Sequence, residues 1–390
     1  MNFPSLFVQD ESFAHLNAGT RTRVPVKVIE FMERERREGE RNPTEAMFTG
    51  YDRIWGVQKR IAAFLGTTGE NIFLRSNVTA AFNDFLFALP NPGPGEIVAT
   101  GWEYGGTVGL AKHWASSVGL SFRFAPLELK EHWTESSLCE AVLASLKPET
   151  KVLVVSHVST GNGAILPVKA IATGARARGV ITVIDGAHAI GAIPVHLDSL
   201  HDADFYGGNF HKWFLGPEGT GFGWVHPRWK GKLPWKFGGW ASESPPSFYQ
   251  GFGDGDPETC RRFFPGTIDR IPFLGLGASL SFWEEHGIDK IRQRQTVLRD
   301  LVASEAEALG WQRRSPRDLA LLGPLVAYKR PEVWGAGEST ALANRLYFEA
   351  RVQLALPNVQ GEALVRFSPG IYAREDEVKQ GLSRLAAWRA

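Results

Sequence analysis

The sequence predicts an α/β fold, with a large domain on a mostly parallel sheet and a smaller C-terminal α/β domain packed against it. Three observations carry this. Short apolar runs alternate with amphipathic helical stretches through the middle of the chain, the pattern of a parallel sheet covered by helices on both faces. The last third changes character, with a long charged helix followed by two strand candidates and a final helix. The 390 residues, 43% hydrophobic and 22% charged, are enough for one large core and a second, smaller one.

The elements follow in order. A short apolar run in Phe73–Leu89 leads through Ser76, Asn77, Val78 and Thr79 into a helix. Residues Gly95–Thr100 are strand-like, Gly106–Val118 helical, and Leu120–Leu127 a second strand. Glu135–Leu146 has helical period, and Lys151–Val158 reads as a strand buried on both faces. Pro167–Gly179 is a helix with Pro at its start, where the missing N–H costs nothing. Val180–Gly191 is a strand and turn, and "DADFYGG" a short strand running into glycine. The glycines of Gly216–Val225 permit tight turns. The Gly/Pro-rich stretch from Lys236 to Pro272 reads as the loop-rich connection. Beyond it come a helix over Gly287–Gly310, strands within Leu322–Arg330 and Ala363–Pro369, and a last helix over Glu375–Trp388. The expected division is a large domain at 15–275 and a small one from 1–14 and 276–390. No internal repeat or low-complexity tract interrupts it.

Bulk properties exclude several classes. A formal net charge of +1 gives no electrostatic case for nucleic acid or an anionic membrane. No apolar run is long enough to span a bilayer, and the N-terminus has neither a basic region nor an apolar stretch of signal-peptide type. Two cysteines, Cys139 and Cys260, form neither a metal spacing nor a disulfide framework. A cytoplasmic, reduced compartment is expected, in which the sequon at Asn77–Thr79 carries little meaning. The 13 Trp and 25 Phe point first to a large aromatic core, and second to an aromatic-lined pocket.

In open α/β sheets, ligands bind beyond the carboxyl ends of the strands, so the residues there are the candidates. Asp185 ends "VITVID", with Gly186 and His188 behind it. A carboxylate there either caps the next turn or faces a cationic ring nitrogen. Asn77, Val78 and Thr79 open a helix, either as plain caps or as a cup whose free N–H groups hold a phosphate. Lys212 lies in "GGNFHKWFLGPEG", between glycines and aromatic rings. It is either a surface lysine with its stem on Trp213 or a desolvated amine of lowered pKa, able to act as a nucleophile.

Taken in order, these segments resemble the pyridoxal-phosphate enzymes of fold type I, in the class V aminotransferase and cysteine desulfurase superfamily, and most of all its isopenicillin N epimerase-like branch. "DGAHAIGAIPV" and "DFYGGNFHKWFLGPEGTGF", with Lys212 following Asp185 by 27 residues, carry the resemblance. It extends from "HLNAGTRTRVP" to "RFSPGIYAREDEV". It implies pyridoxal 5'-phosphate as cofactor, Lys212 as the Schiff-base lysine and acid/base at the substrate Cα, and Asp185 as partner of the pyridinium nitrogen. Asn77, Val78, Thr79, Asn209 and His211 would hold the phosphate. Tyr104 would stack on the ring and His188 would lie near it. Thr160 stands where many relatives have Asn or Ser on the ring hydroxyl. Gly266 and Thr267 would reach the phosphate of a neighbouring subunit, implying a homodimer with shared active sites. Arg366 matches the arginine on the substrate carboxylate, with the forked geometry that task requires. Asn17 belongs to the substrate-side loop, and Arg21 and Arg23 beyond it could meet a second acidic group.

The reaction type is less legible. Desulfurases of this superfamily carry a catalytic cysteine that Ala350–Phe367 lacks. Transamination, epimerisation and C–S elimination all pass through a Cα carbanion and all use Lys212, Asp185 and Arg366. The expected activity is that of a class V aminotransferase or isopenicillin N epimerase-like enzyme, with a C–S lyase as alternative. A nucleotide-binding dehydrogenase lacks its glycine fingerprint here. A catalytically dead binding protein would have no use for a reactive lysine paired with Asp185.

Overall fold

A computed structural model of the chain describes residues 2–233, 242, 260–264, 266–335 and 338–389. Its strands are β1 (Ala14–His15), β2 (Ile72–Arg75), β3 (Glu96–Thr100), β4 (Ser121–Ala125), β5 (Thr150–Ser156), β6 (Ile181–Asp185), β7 (Phe205–Asn209), β8 (Gly221–Val225), β9 (Val326–Lys329), β10 (Val352–Gln353), β11 (Asn358–Val359) and β12 (Glu362–Phe367). Its helices are α1 (Val26–Arg41), α2 (Pro43–Phe64), α3 (Val78–Ala88), α4 (Gly105–Val118), α5 (Glu135–Ala144), α6 (Val168–Arg176), α7 (Ile271–His286), α8 (Ile288–Ala308), α9 (Ser339–Arg345) and α10 (Glu375–Ala387).

Seven strands form the central sheet in the order β2-β8-β7-β6-β5-β3-β4. From β7 through β6, β5 and β3 to β4 the pairs are parallel, and β8 runs antiparallel between β7 and β2. The period of two within each strand divides its side chains between two cores. Val98, Leu153, Val155 and Ile184 face one core with Ile54, Ile61, Leu138 and Ile171 of α2, α5 and α6. Ile97, Ala99, Val152, Val154 and Val183 face the other with Phe82, Phe85 and Trp114 of α3 and α4. Burial on both faces is why these strands read as continuous apolar runs.

Local signals set the helix ends. Thr134 and Ser137 form a capping box at the start of α5, Pro167 precedes α6, and Gly119 ends α4 in the left-handed region at φ 79°. β9, β11 and β12 make a second, antiparallel sheet, and β1 pairs with β10. Leu298, Val302, Val326, Tyr328, Val365, Phe367, Leu382 and Leu385 pack there with α8 and α10. No described helix is long and apolar enough to cross a membrane.

The structure departs from the sequence reading in three places. The glycines after Lys212 include a buried strand, β8, as well as a turn. The helices α1, α2, α7 and α9 and the short strands β1, β10 and β11 have no counterpart in the sequence reading, and α1 and α2 both pack against α7. The strand expected within Leu322–Arg330 covers only Val326–Lys329. Most of the Lys236–Pro272 connection lies outside the described residues.

Candidate active site

The parallel strands emerge on one side, and the chain order turns back between β3 and β5: β4 lies outside β3 on one flank and β5 on the other. Such a reversal opens a crevice at the strand ends. Asp185 is the last residue of β6, four per cent exposed. A buried carboxylate needs partners, and it has them: Thr107 Oγ1 donates to one oxygen (2.8 Å) and the Ala187 amide to the other (2.9 Å). Gly186 is required behind it, because a Cβ there would stand 2.1 Å from the Tyr206 ring.

Lys212 sits in the turn between β7 and β8. The Leu215 amide bonds back to the Lys212 carbonyl (3.1 Å) and the Gly216 amide to Phe210 (2.8 Å). Leu215 takes a positive φ of 63° to close the turn, a conformation costly for a branched side chain and typical of functional sites. The Lys212 amine lies 3.0 Å from His188 Nε2. That nitrogen is also 3.0 Å from Thr160 Oγ1, and Trp213 Nε1 donates to His188 Nδ1 at 3.3 Å. Burial lowers the Lys212 pKa to about 8, with Asp185 opposing the fall and Arg366 adding to it. His188 is held well below its ordinary value by burial and by the cations Lys212 and Arg366.

Arg366 comes from β12 of the second sheet and reaches the loop that follows β5 of the first. Its Nη1 donates to Thr160 O and Oγ1 (3.0 and 3.2 Å), and its Nη2 to Asn17 Oδ1 and Thr20 Oγ1 (3.0 and 3.1 Å). Burial lowers its pKa to about 10, while Tyr104 acts in the opposite direction. Tyr104 immediately precedes α4 and is 56% exposed. The Thr22 amide donates to the His211 carbonyl (3.0 Å), tying the N-terminal loop to the lysine turn. Asn17 and Thr20 also line a cavity of about 760 Å³ that includes His15, Arg21 and Arg23. Arg21 is paired there with Glu218 (3.1 Å), and Arg23 bonds Gln9 and lies over the Tyr372 ring (5.0 Å).

The start of α3 serves both as cap and as cup. Asn77 Oδ1 caps the Ala80 amide (2.9 Å). Asn209 Oδ1 accepts from the Val78 amide (2.8 Å), so its carbonyl anchors the helix to β7 and leaves its amide group as the donor. Thr79 is exposed at this end. Gly221 permits the close approach, because a Cβ there would lie 2.8 Å from the Asn77 backbone and from the Gly208 carbonyl. Gly266 and Thr267 lie elsewhere, against α2, where the Tyr51 hydroxyl donates to the Gly266 carbonyl (3.1 Å).

Sequence reasoning missed Thr107, Thr20 and Trp213 as partners of Asp185, Arg366 and His188. It also missed Glu103, which accepts from Thr100, from Ser156 Oγ and from the Ser156 amide. Burial, with Asp185 adding, raises its pKa to about 7. Thr107 one turn into a helix, or Glu103 before Tyr104, has no signal apart from its neighbours in space.

The residues fit pyridoxal phosphate on their own chemistry. An amine of lowered pKa, an oriented buried carboxylate and a helix N-terminus stand around one crevice. One buried nitrogen, Arg366 Nε, has no hydrogen-bond partner among the described residues.

Known proteins similar to this chain identify its family. The family model Aminotransferase class-V matches residues 15–316. An isopenicillin N epimerase from Streptomyces clavuligerus is 32% identical over 332 residues, 83% of this chain and 82% of that protein. A probable cysteine desulfurase from Halalkalibacterium halodurans is 28% identical over 75% of this chain and 71% of its own. Among solved structures, the complex between the cystine C–S lyase C-DES and its product cysteine persulfide superposes with TM-score 0.87 at 22% identity, covering all of both chains. With Lys212, Asp185 and Arg366 standing around one crevice and the family model spanning most of the sequence, the chain belongs to the aminotransferase class-V family of pyridoxal-phosphate enzymes.

Proposed function

We propose that this enzyme exchanges the Cα proton of an amino-acid substrate as an epimerase, with Lys212 as the Schiff-base lysine and base. The observation that carries the reading is the Lys212 amine, 3.0 Å from His188 Nε2, its pKa lowered to about 8 by burial. When bound, the cofactor supplies an electron sink that acidifies the substrate Cα–H. Lys212 takes the proton there from one face, and inversion requires a second donor to deliver a proton to the opposite face. Asp185, fixed by Thr107 and the Ala187 amide, keeps a proton on the ring nitrogen. Arg366 orients the substrate carboxylate. Asn77, Val78, Thr79, Asn209 and His211 hold the phosphate, with Tyr104, Thr160 and His188 about the ring. Identity to two isopenicillin N epimerases at 32% and 30% favours epimerisation over transamination.

A C–S lyase is the second reading, favoured by the cysteine desulfurase relatives and the similar fold of a cystine lyase. Persulfide chemistry on an enzyme cysteine is disfavoured. Cys260 is buried, and burial, with Glu140 and Glu135 nearby, pushes the Cys139 thiol up, away from the reactive thiolate.

We further propose a large domain at 15–275, a small one from 1–14 and 276–390, a cytoplasmic location, and a homodimer in which Gly266 and Thr267 complete the partner's site. Borohydride reduction and peptide mapping test the lysine, since label on any other residue overturns it. Incubation of the holoenzyme with single amino acids in D₂O, without keto acid, tests the reaction. Deuterium at Cα with inversion supports epimerisation. Conversion of the cofactor to its amine form, or release of sulfide, assigns transamination or lyase chemistry instead. A native mass of one chain at working concentration rules out the dimer.

A further inference from the structure

We propose that Trp213 is a positioning residue that fixes the tautomer of His188 and, through it, favours the proton-accepting form of the Lys212 amine. An indole N–H only donates, so His188 Nδ1, 3.3 Å from Trp213 Nε1, must accept. That excludes both the imidazolium and the tautomer with its proton on Nδ1. The His188 proton therefore sits on Nε2, and Nε2 faces Thr160 Oγ1 and Lys212 Nζ, each at 3.0 Å.

The consequence falls on the lysine. A free amine accepts the Nε2–H. An ammonium would set donor against donor in a site where burial already disfavours charge. Trp213 thus acts on the amine one ring away, although it follows Lys212 directly in sequence. The Trp213 side chain is one per cent exposed, so packing fixes the indole donor in place, and the Gln295 side-chain amide donates to the Trp213 backbone carbonyl (3.4 Å). The other groups facing the pair are Asp185 from β6, Arg366 from β12 with Tyr104 beside it, and His211 in the same turn. Asp185 favours the ammonium and Arg366 opposes it. Among the described hydrogen bonds, Trp213 makes the one contact to His188 Nδ1 that selects between tautomers.

The inference uses the proposed role of Lys212 only for its meaning, since the tautomer itself can be read without any reaction. The first measurement is ¹⁵N NMR of the full chain labelled at histidine, with and without cofactor, the His188 signals being assigned by their loss in His188→Gln. A protonated Nε2 and an unprotonated Nδ1 are expected above about pH 8, where the Lys212 amine is free. A proton on Nδ1, or an imidazolium, overturns the proposal without touching the Schiff-base assignment, which borohydride mapping decides separately. The second measurement is the pH dependence of Lys212 acetylation by acetic anhydride in the cofactor-free chain, read by peptide mass. In Trp213→Phe, the midpoint should rise by about one pH unit, the size expected for one lost hydrogen-bond constraint, and His188 should populate both tautomers. A folded Trp213→Phe with wild-type midpoint and tautomer also overturns it. If that variant fails to fold, the wild-type spectrum still decides.

Discussion

A lysine amine adds to an aldehyde only as the free base, so the protonation of Lys212 limits how fast the site can be loaded. Burial lowers its pKa from 10.5 to about 8. Below that value most chains carry the ammonium, and above it the amine is free. The rate of Schiff-base formation by the cofactor-free chain, followed by absorbance, should therefore rise between about pH 7 and 9 and flatten above about 9. A rise that continues to pH 10 would show an ordinary lysine. Asp185 gives the second test at this scale. Asp185→Asn should keep the cofactor bound but lose turnover by about a hundredfold or more, as removal of a preorganised charge does. Thr107→Val, which deletes one bond to that carboxylate, should cost about tenfold. Equal effects of the two variants would mean that Thr107 does more than orient Asp185.

Between elements, the decisive contact is the seating of α3 on the sheet. Its first amide is held by Asn209 at the end of β7, and its N-terminus approaches β8 over Gly221. A methyl group at 221 would stand 2.8 Å from the Asn77 backbone and from the Gly208 carbonyl, neither of which can swing away as a side chain would. Gly221→Ala should cost about 1–3 kcal/mol in denaturant unfolding, typical of overpacking. It should also weaken cofactor binding more than any loss in global stability explains, because the displaced element carries the phosphate donors. Unchanged affinity in a destabilised variant would remove α3 from the cofactor site. The same packing explains why the Gly216–Val225 segment was only partly legible. Its glycines read as turn formers, whereas Gly221 and Gly223 lie in a buried strand under α3 and Phe73. Which of the two a glycine serves depends on what approaches it.

Across the whole molecule, Arg366 joins the two sheets. It starts in β12 and bonds Thr160 beyond β5 and the loop of Asn17 and Thr20. A lysine there keeps the charge but loses the planar fork and most of these bonds. Arg366→Lys should leave the cofactor absorbance intact and lower kcat/KM by about a hundredfold, mostly through KM, as expected for a charge-assisted pair worth about 2–3 kcal/mol. An unchanged KM would place the substrate carboxylate elsewhere. Arg21 and Arg23, read from sequence as possible contacts to a second acidic group, have partners within the chain.

The sequence by itself determined the strand and helix alternation from Glu96 to Asp185, the charged helix α8 and the last helix α10, because apolar period and capping residues are local properties. It also singled out Lys212, Asp185 and Asn77 by residue type at strand and helix ends, and His188 and Arg366 through the family resemblance. Only the tertiary structure decided their partners. Thr107 on Asp185, Trp213 on His188, Thr20 on Arg366 and the Ser156 contacts of Glu103 join segments distant in the chain or lie within turns whose shape the sheet imposes. A hydrogen bond between such groups exists only once the strands that carry them have paired, and no run of neighbouring residues encodes it.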